Sequence, residues 1–166
     1  RYAPHHSKVR ELLMNGVIGE VYSVHFEWLL NTEHGADYFR RWHREKRNSG
    51  GLLVHKSTHH FDLMNFWLNS YPERVYAEGA LRFYGKENAE KRGVTQFYPR
   101  AHGYAAAKDD PFALHMEDNP QLKAIYLDAE HEDNYWRDQS VFSDGITIED
   151  TLSVLVKYQN QCQLSY

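Results

Sequence analysis

The sequence predicts an α+β domain, an open, mainly antiparallel β-sheet with helices packed on one face. Three observations carry this expectation. Stretches at 21–30, 73–85 and 151–166 alternate apolar and polar residues with a period of two. Stretches at 7–16 and 50–68 instead space their apolar residues as a helix does. The strand–helix alternation of a parallel nucleotide-binding sheet is missing, and so is any GxGxxG turn.

The elements follow in order. In "SKVRELLMNGVIGEV", Ser7 is the expected N-cap, Val9, Leu12 and Leu13 form the apolar face, and Gly16 is the stop. "VYSVHFEWLL" reads as a half-buried strand, with Tyr22, Val24, Phe26, Trp28 and Leu30 on one face. "NTEHGADYFRRWHREKRNSGG" has no sustained period and reads as a long loop with at most a helical turn. Gly51 to Leu68 is one helix. "ERVYAEGALRFYG" is a second strand, with Val75, Ala77, Gly79, Leu81 and Phe83 on one face and Arg74, Tyr76 and Arg82 on the other. "TLSVLVKY", with Leu152, Val154, Val156 and Tyr158 inward, and "CQLSY" form a hairpin through Gln159 to Gln161.

Residues 86–144 differ in character: polar, rich in Asp, Glu and Ala, with one helix expected from Pro120 to His131 under an Asn119 cap. We read this segment as an insertion within a single domain spanning 1–166. The chain starts at Arg1 and ends at Tyr166 inside an alternating run, so a piece of a longer protein is expected. With 166 residues and 42% hydrophobic content the chain can bury a real core. A net charge of −4, with no basic block, speaks against a nucleic-acid surface, and no apolar run reaches the roughly 18 residues of a membrane span. The lone Cys162 forbids an internal disulfide and fits a reducing, cytoplasmic setting.

The chemistry is concentrated in "GGLLVHKSTHHFDLMNFWL", Gly50 to Leu68. On a helical wheel His55, Thr58, His59 and Asp62 share one arc, while Val54, Phe61, Leu63, Met64, Trp67 and Leu68 cover most of the remainder. A helix apolar nearly all round, with one titratable stripe, suits the lining of a cleft. The alternative is a set of satisfied core histidines oriented by Asp62. The i, i+4 spacing of His55 and His59 could also hold a metal, but Lys56 stands where a zinc protease needs a glutamate, so no metal is expected. General acid–base work by His59, with His55 and Lys56 as polar partners, uses the whole stripe.

These residues resemble the second-domain signature GG-x-L-x-D-x-G-x-H-x-x-D-L of the glucose–fructose oxidoreductase/inositol dehydrogenase (Gfo/Idh/MocA) family. "RYAPHHSKVRELLMNGVIGEVYSV" is similar to that family's passage between its two domains, and "EDTLSVLVKYQNQCQLSY" to its later hairpin. The family's histidine falls on His59 and its later aspartate on Asp62; its earlier aspartate falls on His55 and its glycine on Ser57. The resemblance implies NAD or NADP bound by an N-terminal Rossmann domain absent from this chain. It further implies hydride transfer between nicotinamide and a hydroxyl-bearing carbon of a sugar or cyclitol, with His59 at the family's histidine; His55 and Lys56 are expected to act beside it. Trp42, Arg44 and Lys46 before the histidine stretch, together with Asp62, Tyr135 and Trp136, are expected to contact substrate. A homo-oligomer through the exposed sheet face, carrying Tyr76, Arg82 and Tyr84, is expected as well. Two rivals are a branch that uses NAD for glycoside cleavage and a catalytically inactive binding or dimerisation domain.

Overall fold

The computed structural model describes residues 1–166 and divides them into two compact units. The first comprises Arg1–Leu29, Leu52–Ala80 and Thr151–Tyr166; the second comprises Leu30–Gly51 and Leu81–Asp150. In chain order the elements begin with α1 (Pro4–Met14), β1 (Ser23–His25), α2 (Thr32–Arg40), α3 (Lys46–Ser49), α4 (Leu52–His55) and α5 (Thr58–Leu68). They continue with β2 (Pro72–Ala80), α6 (Lys86–Lys91), α7 (Pro120–Leu122), α8 (Glu130–Asp133), β3 (Thr151–Tyr158) and β4 (Gln163–Ser165).

The first unit holds the sheet, in the order β1-β4-β3-β2. The pairs β2–β3 and β3–β4 are antiparallel and β1–β4 is parallel, so the expected open, mainly antiparallel sheet is present with one parallel pairing. The β3–β4 hairpin closes with Tyr158 N–H donating to the Cys162 carbonyl (2.9 Å) and Gln161 in the left-handed region at φ 69°. Val154, Val156, Tyr158, Cys162 and Leu164 pack against Leu63, Met64 and Leu68 of α5. Each large apolar side chain taken out of water there contributes about 1.5–3 kcal/mol. The inward set expected for β3 is the observed one, and burial pushes the Tyr158 phenol up to about 12.

Helix α1 begins earlier than Ser7 would have it. Ala3 is the N-cap and Pro4 opens the first turn, where its fixed φ fits and its missing N–H costs nothing. Its expected stop at Gly16 is observed, at φ 68°. Arg10 bonds the Phe66 carbonyl and the Asn69 side chain, placing a cation at the negative C-terminal end of α5, and the Trp67 indole donates to the His6 carbonyl (2.9 Å).

Two strands are shorter than expected. β1 spans only Ser23–His25; its ladder ends where the Phe26 N–H meets the Ser165 carbonyl (2.9 Å), and Trp28, expected inward, is 57% exposed. β2 stops at Ala80 because the Asp150 carboxylate accepts the N–H groups of Arg82 (2.9 Å), Phe83 (2.7 Å) and Tyr84 (2.9 Å), drawing that backbone out of the ladder. Arg82 and Tyr84 are therefore not on the sheet face. Tyr84 is buried and donates its hydroxyl to the Thr32 carbonyl (2.5 Å).

The expected single helix over Gly51–Leu68 is two. The N–H groups of Lys56 and Ser57 both bond the Leu52 carbonyl at 2.9 Å, so the coil widens after α4 and restarts as α5. Buried Ser57 sits at that break.

In the second unit, the stretch read as a loop is largely helical: α2, a 3-10 turn at Trp42–Arg44 and α3. The Asn31 side chain caps α2 by accepting the His34 N–H (3.0 Å), and Gly35, Ala36, Phe39 and Arg40 are its buried face. Phe39 stacks on Tyr84 at 3.9 Å, Phe112 and Phe142 close the aromatic cluster, and Arg92 lies 4.4 Å over the Phe83 ring. The helix expected over Pro120–His131 is capped by Asn119 as predicted but is broken into α7, a π-turn at Lys123–Leu127 and α8. There the Asp128 N–H reaches the Lys123 carbonyl five residues back (2.9 Å). No helix of the chain is long and apolar enough to cross a membrane.

Candidate functional site

The histidine stretch lies in the first unit, and the break between α4 and α5 decides its geometry. His59 is exposed in the first turn of α5, with Thr58 beside it and Asp62 one turn on. Asp62 is held by Arg1, whose Nε donates to Oδ2 at 2.7 Å in a solvent-exposed pair. Lys56 is exposed and His55 half-buried, both on the far side of the break. The wheel argument thus holds for Thr58, His59 and Asp62, but it does not fix where His55 stands relative to His59.

A residue that the sequence reasoning passed over is more deeply engaged. The His60 Nδ1 lies 2.9 Å from the Tyr166 hydroxyl, which lies 2.8 Å from Ser57 Oγ. Phe26 and Trp28 flank the His60 ring, each at 4.9 Å. Desolvation first, then the nearby His59 and Lys56, lower the His60 pKa below its ordinary value, so it is neutral near pH 7. The signal for this cluster was the pairing of aromatic Phe26 and Trp28 on the strand face, read at first only as core.

The other expected contacts belong to the second unit. Trp42, 42% exposed, stacks on buried His43 at 3.7 Å, and its backbone N–H donates to the Tyr135 hydroxyl (3.4 Å). Arg44, expected to face substrate, is buried. Its two terminal nitrogens donate to Gln139 Oε1, the Ser140 carbonyl, Ser143 Oγ and the Asp144 carbonyl at 2.8–3.3 Å, and desolvation lowers its pKa to about 10. That fork ties the turn after α2 to the 139–144 segment. Lys46 pairs with Glu149, and its N–H donates to Thr147 Oγ1 (2.7 Å). Trp136 is 45% exposed beneath the Arg100 guanidinium, 5.1 Å above its ring. Tyr135 and Trp42 are thus brought together; Arg44 and Lys46 are engaged with neighbouring residues of their own unit.

No three His, Cys, Asp or Glu side chains are placed to hold a metal ion. The helices of eight residues or more open on Ala3-Pro4, Asn31 and Ser57, none on a glycine-rich turn.

The chain matches the family model described as "Oxidoreductase family, C-terminal alpha/beta domain" over residues 10–166. It is 40% identical to a Bacillus subtilis (strain 168) protein, YteT, named as an oxidoreductase, over a 184-residue alignment covering 100% of this chain and 40% of the relative. A second B. subtilis protein named as an oxidoreductase, YrbE, is 31% identical over 80 residues, 48% of this chain and 21% of that one. The chain therefore spans well under half the length of these relatives. Among solved structures, a dehydrogenase from Thermotoga maritima aligns over 96% of this chain and 29% of its own, at 13% identity and TM-score 0.42. A Sinorhizobium meliloti 1021 protein named as a myo-inositol dehydrogenase aligns over 99% and 32%, at 18% identity and TM-score 0.41.

Proposed function

Because the chain belongs to the Gfo/Idh/MocA oxidoreductase family, as its C-terminal α/β domain, we propose that it is the substrate-side part of an NAD(P)-dependent oxidoreductase acting on a hydroxyl-bearing carbon of a sugar or cyclitol. The observation that supports this reading best is His59. It occupies the position of the family's histidine, and it is exposed in the first turn of α5 rather than consumed by the core. The nicotinamide cofactor, NAD or NADP, accepts or supplies the hydride and is held by residues outside 1–166.

The work left to this chain is proton handling and orientation. An exposed imidazole nitrogen of His59 can take a proton from a substrate hydroxyl or return it. Lys56 and His55, before the break, are the proposed donors to neighbouring substrate hydroxyls. Neutral His60, tied through Tyr166 to Ser57, anchors the turn that carries His59.

The test is the His59→Ala variant of the intact enzyme, expected to lose about 10²–10⁴-fold in turnover with its circular dichroism unchanged. Near-normal turnover would remove His59 from the mechanism. His55→Asp restores the family's residue and should keep or raise activity.

The same reading includes self-association through the outer sheet face. A shallow groove there is lined by Ser23, Arg74, Tyr76, Leu155, Lys157 and Gln163, with Tyr76 61% and Leu155 58% exposed. An aromatic and aliphatic centre beside cationic residues suits an interface. Light scattering of the intact protein should give a multiple of the subunit mass, reduced by Tyr76→Glu; a monomer would rule the interface out.

A further inference from the structure

The second unit gathers three guanidinium groups on a single carboxylate. Asp37 of α2 accepts from Arg137 Nη2 at 2.7 Å, from Arg40 Nη1 at 3.2 Å and from Arg41 Nη1 at 3.2 Å. Burial alone would push the Asp37 carboxyl up; the Arg137 hydrogen bond and the charges of Arg137, Arg41 and Arg40 overcome it and hold the group below its ordinary range. Asp37 is therefore ionised, and the cluster still carries two positive charges more than it neutralises. Of the side chains, Arg40 is 9% and Arg137 11% exposed, so the excess sits in a largely desolvated place.

The donors are as unbalanced as the charges. Arg40 spends Nη2 on the Phe112 carbonyl (2.5 Å), yet its Nε is buried without an acceptor. Arg41 Nε, Arg137 Nε and Arg137 Nη1 are buried and unmatched too. Buried N–H groups of a cation are costly to leave unpaired, at roughly 1–3 kcal/mol or more each. Elsewhere in this unit the chain avoids that cost: Arg44 has four acceptors and Arg100 has two carboxylates. Among the buried arginines of this unit the shortfall is confined to those around Asp37. One side of the cluster is open, because the Arg41 and Asp37 side chains are 32% and 34% exposed. The Tyr126 ring, 5.6 Å beneath the Arg137 guanidinium, closes another.

We infer that Arg40, Arg41 and Arg137, arranged around Asp37, form a binding site for a small oxyanion, the carboxylate of a sugar acid or the phosphate of a sugar phosphate. Planar guanidinium forks match the paired oxygens of both groups, which a lysine cluster would not. The excess of two charges suits a phosphate dianion in full and a carboxylate in part. This goes beyond the reading proposed above; it is tested by binding alone and so stands or falls apart from catalysis.

Calorimetric titration of the intact protein with D-glucuronate, glucose 6-phosphate and glucose, at one ionic strength fixed with NaCl, is the experiment. Saturable binding of one charged sugar, at least tenfold tighter than glucose, is expected, and which of the two binds identifies the oxyanion. Arg137→Gln should weaken that binding at least tenfold. Should Arg137→Gln fail to fold by circular dichroism, Arg41→Gln, at the open edge, supplies the comparison and should also weaken it. The site is overturned if neither charged sugar binds more tightly than glucose, or if binding is indifferent to the substitution in a folded variant.

Discussion

The two units bury different things. In the first, α5 and the sheet enclose Met64, Leu68, Val154, Val156, Tyr158 and Leu164, and the buried polar residues are the serines Ser57 and Ser70. In the second, Arg40, His43, Arg44, Arg100 and Asp138 are all under a tenth exposed, interleaved with Phe39, Tyr84, Tyr98 and Phe142. An apolar core tolerates small shifts because its contacts are non-directional. A core of charges does not, because each ion must keep its partners at hydrogen-bond distance or bear its desolvation alone. The first unit should therefore yield gradually to substitution and the second sharply.

The largest effect is expected at Asp138. Its carboxylate, 0% exposed, pairs with Arg100 at 2.8 Å and accepts the His102 N–H at 2.7 Å. Asp138→Ala strands part of a buried guanidinium and should destabilise by about 3–5 kcal/mol. Thermal unfolding measures it. A loss below about 1 kcal/mol would mean that Glu130, which also pairs with Arg100, carries the ion unaided, and the contrast between the two cores would be weaker than drawn here.

Met64→Ala should come next, at about 2–5 kcal/mol, since a 2% exposed side chain leaves a cavity between α5 and the sheet. In urea its transition should keep its slope, because only an apolar contact is lost.

The same difference in what is buried explains what the sequence made legible. Period-two alternation placed β3 correctly to the face of each residue, because its inward side chains are all apolar and its outward ones, Leu155 apart, are polar. It failed at β2 from Leu81 on, where a side chain distant in sequence, Asp150, captures three backbone N–H groups. It failed again over 31–51, because the buried face of α2 includes Arg40 and glycine, which no hydrophobic pattern counts as core. Arg44 was singled out as a substrate contact for its charge; its acceptors lie some hundred residues on, in a segment with no pattern of its own. His59 and Asp62 were legible through spacing within one helix, whereas the break at Ser57, where a backbone coil widens beside a side chain bonded to distant Tyr166, is not something spacing can reveal.

That bond offers a smaller test. Tyr166→Phe removes the hydroxyl that Ser57 and His60 share and should cost about 1 kcal/mol. His60 adds a pH signature. Its folded-state pKa is lowered by desolvation and by His59 and Lys56, so on acidification the unfolded chain takes up a proton first. This stability contribution is complete above the ordinary histidine value of about 6.5 and is lost as pH falls through the lower folded-state pKa. Unfolding measured from pH 7.5 to pH 5 should show that decline, and His60→Gln should flatten it. An unchanged slope in His60→Gln would assign the acid sensitivity elsewhere.

The smallest effect isolates environment from chemistry, because each unit contains an Arg–Asp pair. Arg1 and Asp62 meet at the surface of the first unit, with side chains 39% and 40% exposed; Arg100 and Asp138 meet in the second at 8% and 0%. Water solvates the separated ions of the first pair nearly as well as the ions solvate each other, and salt screens what remains. Asp62→Asn should thus change stability by no more than about 0–1 kcal/mol, and the change should shrink further in 0.5 M NaCl. Asp138→Asn, the same exchange of a carboxylate for an amide, should cost several-fold more and respond little to salt. If the two substitutions cost alike, burial is not what separates these units, and the second has room for water around its charges. Because Asp62 also stands one turn from His59, its variant should be assayed for turnover as well: a loss of activity with stability intact would place Asp62 at the substrate rather than in the fold.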